Sequence, residues 1–343
     1  ILEKEIFMPR VYIAYTGGTI GMARTSEGYA PKPGYLAELM AGMPELSSPE
    51  MPQYTVHEYE TLLDSANMTP AHWLHIARDI ESHYDDYDGF IVLHGTDTMA
   101  YTASALPFML EHLAKPVILT GSQIPLCEIR SDARANLINA LLIAGAGDIP
   151  EVCLCFGDKL LRGCRSQKVA ADGLTAFDSP NFPPLGRLGI TIEVDESLIL
   201  RTPERGQLSV QALVNPPVAV LRLFPGITAD LVRLMTQPPL RGLVLETYGV
   251  GNGPDGDVDF IAALAEATAR GVVIVACTQC VRGLVDLRTY RAGSALARAG
   301  VLSGFDMTTE AALTKMFYLF SRGLETDAIR DAIGRDLRGE LSA

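Results

Sequence analysis

Residues 11–21 read Val11-Tyr12-Ile13-Ala14-Tyr15-Thr16-Gly17-Gly18-Thr19-Ile20-Gly21, a stretch that runs apolar as far as Tyr15 and then stops at a threonine, two glycines and a second threonine. A near-continuous apolar run is the mark of a parallel strand buried on both faces. Ligands of open α/β sheets gather outside the carboxyl ends of such strands, and Thr19 stands at one. Paired glycines let the main chain turn sharply and leave it bare, so a small polar substrate can approach the Thr19 hydroxyl and the neighbouring N–H groups. The same residues also fit a plain strand-ending turn.

The pattern recurs along the chain. Gly89-Phe90-Ile91-Val92-Leu93-His94 is a second apolar strand, ending in Gly95-Thr96-Asp97-Thr98 before an Ala- and Leu-rich helix whose first N–H groups lack partners. Asp97 or Thr98 would serve equally as a helix N-cap. Pro116 to Thr120 is a third strand, ending in Gly121-Ser122-Gln123, and Asp132 opens an amphipathic helix. Val152 to Phe156 is a fourth, followed by Gly157-Asp158-Lys159 and the cations Arg162, Arg165 and Lys168. One of these cations could reach the carboxylates at the other strand ends; position does not select it, and a solvated basic loop fits the group as well.

Between these strands, residues 25–34 form a polar, Gly/Pro-bearing stretch with Tyr29 in its middle, long enough to be a lid. A short helix from Leu36 and an alternating strand over Tyr54–Tyr59 come next. The loop Leu62–Met68 leads to Thr69-Pro70, an N-cap and first-turn proline opening a helix to about Tyr84. Trp73, Ile76 and Ile80 fall on its core face. After a last strand-like run, Leu188 to Val194, the polar, proline-bearing residues 201–217 read as a linker between domains spanning 8–200 and 218–343. In the second domain Val218–Leu223, Leu243–Thr247 and Val272–Ala276 alternate with helical patterns at Thr228–Met235 and Asp259–Arg270, predicting a smaller parallel sheet. Tyr248-Gly-Val-Gly-Asn252-Gly-Pro is another glycine-rich strand end, and residues 308–337 read as two closing helices. The expected fold is two-domain α/β: a larger N-terminal parallel-type sheet flanked by helices, and a smaller C-terminal Rossmann-like domain.

Composition bounds the function. The 343 residues allow about two domains, and no apolar run approaches the roughly 20 residues of a membrane span. No signal peptide is recognisable, so the chain reads as cytoplasmic and off the membrane. Ile1 to Phe7 precede Met8-Pro9-Arg10 and read as a cloning remainder. A formal charge of −13 opposes a phosphate backbone and argues against nucleic acid. The cysteines are scattered, as in a reducing compartment. Cys277-Thr-Gln-Cys280 has the C-x-x-C spacing of redox and zinc sites, but no second pair accompanies it and all six histidines precede residue 113. No metal or cofactor is expected. The phosphate loop, the H-E-x-x-H helix, the G-x-S-x-G elbow and the dinucleotide G-x-G-x-x-G are all missing. Two strand-end threonines, a loop tyrosine, an aspartate and a lysine remain, and those parts suit acyl transfer through a hydroxyl nucleophile.

Thr16-Gly-Gly-Thr19-Ile20, His94-Gly-Thr96-Asp97-Thr98-Met99, Thr120-Gly-Ser-Gln123 and Gly249-Val-Gly-Asn252-Gly, in that order over nearly the full length, resemble the bacterial-type L-asparaginase family, and its cytoplasmic type I branch in particular. The resemblance implies that Thr19 is the acyl-accepting nucleophile and Tyr29 the lid tyrosine that assists it. It selects Lys168 among the three cations, as partner of Thr96 and Asp97. It places Asp64, Ser65 and Ala66 around the substrate α-carboxylate, Asp97 on the α-ammonium, and Asn252 in a site completed by a neighbouring chain of a homodimer or homotetramer. The implied reaction is double displacement on L-asparagine: Thr19 attacks the side-chain amide, ammonia leaves, and water hydrolyses the aspartyl ester, with strand-end and helix-start N–H groups holding the oxyanion. A phenol with a pKa of about 10 is a poor base at neutral pH, and a carboxylate beside an amine favours the charged amine, so the identity of the base stays open.

Two departures stand out. Ala66-Asn67 replaces the longer polar and acidic side chains that follow the substrate serine in many members, and Glu246 stands where a cation would hold the carboxylate of a regulatory asparagine, beside Gln167, Thr278 and Cys280. Rival readings are a glutamine or larger-amide amidohydrolase, since one methylene changes specificity by only about 1–3 kcal/mol, and a silent amino-acid-binding protein on the same fold. A binding module needs Ser65 and Asp97 but not Thr19, Tyr29 and Lys168 together.

Overall fold

Strand-forming runs and their turns dictate a mixed α/β architecture, seen here in a computed structural model that describes residues 8–201 and 206–342. The residues read as a cloning remainder, 1–7, and positions 202–205 of the expected linker lie outside the described residues. Contacts divide the rest into two units. The first runs to Ser179 and resumes over Pro183–Gln211; the second comprises Pro180–Phe182 and the chain from Ala212 onward.

In the first unit the strands of three residues or more are β1 (Arg10–Gly17), the hairpin β2 (Met22–Thr25) and β3 (Gly28–Pro31), β4 (Gln53–Leu63), β5 (Gly89–Leu93), β6 (Val117–Thr120), β7 (Val152–Phe156), β8 (Lys159–Arg162), β9 (Gly186–Leu188) and β10 (Ile192–Val194). The helices are α1 (Tyr35–Ala41), α2 (Pro70–Ser82), α3 (Met99–Met109) and α4 (Ala133–Ala146). Eight strands form one sheet in the order β10-β9-β8-β7-β6-β5-β1-β4. The parallel character expected of it holds for β4, β1, β5, β6 and β7; β8, β9 and β10 add antiparallel. β5 and β7 are buried at every position, which is why their sequences are unbroken apolar runs. Because β4 lies on one side of β1 and β5 on the other, the sheet has its switch point between β1 and β5, where ligands of such sheets bind.

Arg162, for which a solvated basic loop was one open reading, instead ends strand β8. The Arg162 guanidinium, 3% exposed, forms a two-pronged pair with the Glu151 carboxylate at 2.6 and 3.2 Å. Arg165 is buried as well, at 2% exposure. Ser209 and Val210 pair with Glu111 and Leu110, which ties the middle of the expected 201–217 linker to the first unit.

In the second unit β11 (Val218–Arg222), β12 (Gly242–Thr247), β13 (Val273–Thr278) and β14 (Leu302–Ser303) form an all-parallel sheet in that order. It is accompanied by α5 (Ala229–Met235), α6 (Val258–Ala269), α7 (Arg291–Arg298), α8 (Thr309–Ser321) and α9 (Thr326–Ile333). Leu243, Leu245 and Ile274 pack against Phe260, Leu264 and Leu296 in its core. Among the described residues no helix is long and apolar enough to cross a membrane.

Candidate active site

The two glycines after β1 bring the strand ends together. Gly17 has φ +126°, and a Cβ there would lie 2.3 Å from the Leu63 carbonyl oxygen; Gly18 has φ +87°, and a Cβ there would lie 2.5 Å from the Gly95 nitrogen. Only bare backbone in a left-handed conformation allows this approach. It sets the turn Thr19–Gly21 against the end of β5 and the end of β4.

The other strand-end threonines are committed. Thr16 donates to Leu93 O at 2.9 Å, Thr98 to Ser65 O at 2.7 Å, Thr120 to Cys155 O at 2.7 Å, and Thr96 to Gln123 Oε1 at 3.0 Å. Among the described residues the Thr19 hydroxyl makes no intramolecular hydrogen bond, and the residue is half-buried. Thr98 stands at the N-cap position of α3, yet its side chain serves the Ser65 turn and not the helix.

Lys168 meets the cluster that follows β5. Its Nζ donates to Thr96 Oγ1 at 2.9 Å and to Asp97 Oδ1 at 2.7 Å. Its backbone is held by a two-residue antiparallel ladder, Gln167–Lys168 with Phe177–Asp178. The Lys168 side chain is 20% exposed, whereas that of Asp97, although paired with it, is 64% exposed. Lys168 is the basic residue seen to reach these groups, whereas Arg162 pairs with Glu151.

Asp64 caps the 3₁₀ turn Ser65–Asn67 by accepting from the Ala66 N–H at 3.0 Å. The Ser65 hydroxyl, in a residue 3% exposed, accepts from the Asp97 N–H at 3.3 Å. Asp64, Ser65, Ala66, Thr96, Asp97 and Lys168 therefore form one connected cluster. Tyr29 does not join it. It lies on β3, 44% exposed, and its hydroxyl donates to Glu128 Oε1 at 2.8 Å, with Arg24 bridging to the same carboxylate at 3.3 Å.

Beneath the cluster, His94 is buried against Thr102 and Trp73. Nδ1 faces the Gly95 carbonyl at 2.7 Å and so carries the proton; Nε2 accepts from Thr102 at 2.9 Å, which in turn accepts from the Trp73 indole at 3.0 Å. Burial lowers the imidazole pKa to about 4, against a backbone hydrogen bond that raises it, so His94 is neutral at pH 7.

Gln123 stands in the sequence only as the last residue of Thr120-Gly-Ser-Gln123, yet its side chain completes the Thr96 surroundings. Its Nε2 donates to Ala171 O and Gly173 O, each at 3.1 Å. Asp132, expected to open α4, turns its carboxylate back onto the Gln123 and Ile124 N–H groups at 3.0 and 2.9 Å. Among the described residues the buried Ser122 hydroxyl beside it has no hydrogen-bond partner. Nothing in residue spacing marks these contacts, since they join the end of β6 to a loop 48 residues away.

In the second unit Asn252 closes the loop after β12 through paired backbone bonds with Tyr248 at 2.8 and 2.9 Å. The Glu246 carboxylate accepts from Thr309 at 2.8 Å and faces Arg222 at 3.4 Å, and Thr278 donates to Gly249 O at 2.6 Å. Cys280 is exposed, Cys277 is buried with its thiol pushed up to about 12 by desolvation, and Gln167 belongs to the first unit.

The profile described as "Asparaginase, N-terminal" matches residues 10–200, and that described as "Glutaminase/Asparaginase C-terminal domain" matches residues 217–333. The chain is 53% identical over 336 residues to L-asparaginase 1 of Escherichia coli (strain K12), covering 97% of this chain and 98% of that protein. It is 45% identical over 354 residues to the 60 kDa lysophospholipase of Homo sapiens, covering 97% of this chain and 61% of that one. The crystal structure of L-asparaginase I from Vibrio cholerae O1 biovar eltor is similar with a TM-score of 0.92 at 47% identity, over 98% of this chain and 100% of that one.

Proposed function

Because the chain belongs to the asparaginase family, we propose that it is an L-asparagine amidohydrolase that works through a Thr19 ester. The observation that carries this assignment is that Thr19, alone among the threonines at this sheet edge, keeps its hydroxyl unengaged among the described residues. It stands at the β1/β5 switch point next to Gly18, which packs on Gly95 at the head of the turn that carries Thr96 and Asp97.

In this reading the Asp97 carboxylate holds the substrate ammonium, and the Ser65 turn holds its α-carboxylate. The Thr19 oxygen attacks the side-chain amide carbon, and the tetrahedral oxyanion is met by backbone N–H groups of the strand-end turns. As the intermediate collapses, the proton lost from the Thr19 hydroxyl goes to the leaving nitrogen, the C–N bond breaks, and ammonia departs from a β-aspartyl ester on Thr19. Water then attacks the same carbon beside Thr96 and Lys168, returning the proton to Thr19 and freeing aspartate. Tyr29 joins once the β2–β3 hairpin leaves Glu128 and closes over the substrate. The protein acts in the cytoplasm as a homodimer or homotetramer in which Asn252 of one chain completes the site of another.

The test is ammonia release from L-asparagine and, separately, from L-glutamine, by the wild-type protein and by Thr19→Ala. Release from asparagine that disappears in the variant is the expected result. Release from neither amide by the wild type, with asparagine binding still measurable by calorimetry, would show a binding protein instead.

A further inference from the structure

The direction of each hydrogen bond around Thr96 can be worked out from the groups present. Gln123 Nε2 lies 3.1 Å from two carbonyl oxygens, Ala171 O and Gly173 O, which only accept. The amide nitrogen must therefore face the 171–173 loop, and Oε1 must face Thr96. Oε1 is itself only an acceptor, so the Thr96 hydroxyl proton points at Gln123, 3.0 Å away. The Lys168 ammonium takes one of the two Thr96 lone pairs at 2.9 Å. One lone pair remains, and Thr96 has no proton left to offer the site.

We infer that Gln123 is a positioning residue: clamped by the Ala171 and Gly173 carbonyls, it holds the Thr96 hydroxyl as a hydrogen-bond acceptor toward whatever enters beside Lys168. The inference rests on the amidohydrolase reading and deepens it. A water that donates one hydrogen to the free Thr96 lone pair has its oxygen oriented for attack on the ester. A hydroxyl free to rotate would instead donate to that oxygen and blunt it. Gln123 reaches no ligand in this scheme; it acts through Thr96.

Two variants test it. Gln123→Leu removes the acceptor, and kcat on L-asparagine is expected to fall about tenfold or more while KM changes by about twofold or less. Gln123→Glu is close to isosteric. When ionised it presents oxygens alone to the two carbonyls, and when protonated it donates to one of them and accepts from Thr96 as the wild-type amide does. The ratio of its kcat to that of the wild type should therefore rise as pH falls. Asp97, Lys168 and Asp132 are the charged groups around this position, so the wild type is measured over the same pH range as the reference. A folded Gln123→Leu protein with wild-type kcat overturns the inference, as does a loss confined to KM. If Gln123→Leu does not fold, a Gln123→Glu ratio flat with pH overturns it and a rising ratio supports it. A wild type that releases no ammonia would sink the amidohydrolase reading itself, which separates the two failures.

Discussion

At the residue scale, His94 shows how a buried side chain beneath the site turns into a pH dependence of the whole fold. Its pKa falls from 6.5 to about 4 because burial disfavours the imidazolium. Between those values the unfolded chain binds a proton that the native chain refuses, so this stabilisation is complete above pH 6.5 and is lost as pH drops toward 4. The loss amounts to about 3 kcal/mol. Urea unfolding of the wild type and of His94→Gln at pH 7 and pH 4.5 should show a steeper fall for the wild type; parallel falls would contradict it. The strand-end turns that carry Thr19, Thr96 and Asp97 were legible because apolar runs stop there at glycines, while the roles proposed for these residues came from the family resemblance. Gln123 was opaque for the opposite reason: its partners are backbone carbonyls of a distant loop, and a carbonyl has no letter in the sequence.

At the element scale, α8 depends on a lysine that no surface reading of its sequence would bury. Lys315 is 0% exposed; its ammonium donates to Ile333 O at 2.9 Å and pairs with Glu340 at 2.6 Å, fastening the chain after α9. Burial alone would push the Glu340 carboxyl up, but the Lys315 charge and the Arg338 N–H hold it below the usual carboxylate range. Lys315→Met strands that carboxylate and should cost about 3–5 kcal/mol, with Lys315→Met/Glu340→Gln recovering part of it; chemical denaturation reads both. Equal stability of the single and double variants would refute the pairing. The same physics explains which elements could be read from the sequence. Strands β5, β6 and β7 are buried on both faces and write themselves as apolar runs, whereas β8 places a charged Arg162 in the interior against Glu151 and so resembles a loop.

At the scale of the whole molecule, the two units carry different halves of the proposed chemistry: Thr19 and its cluster in the first, Asn252 in the second. If Asn252 of one chain serves the Thr19 of another, Thr19→Ala and Asn252→Ala proteins, each nearly silent alone, should regain activity when unfolded together and refolded. Random pairing makes half of the dimers mixed, each with one intact site, so roughly a quarter of wild-type activity is the expected recovery. No recovery, with mixed oligomers confirmed by mass, would place Asn252 in its own chain's site or in none. The gene encoding this architecture also inherits a constraint from the two glycines that press β1 onto Leu63 and Gly95. Every coding change of a glycine triplet adds a β-carbon, and neither place has room for one. Those two codons have silent neighbours and no tolerated missense ones, so variation in this protein has to travel around them.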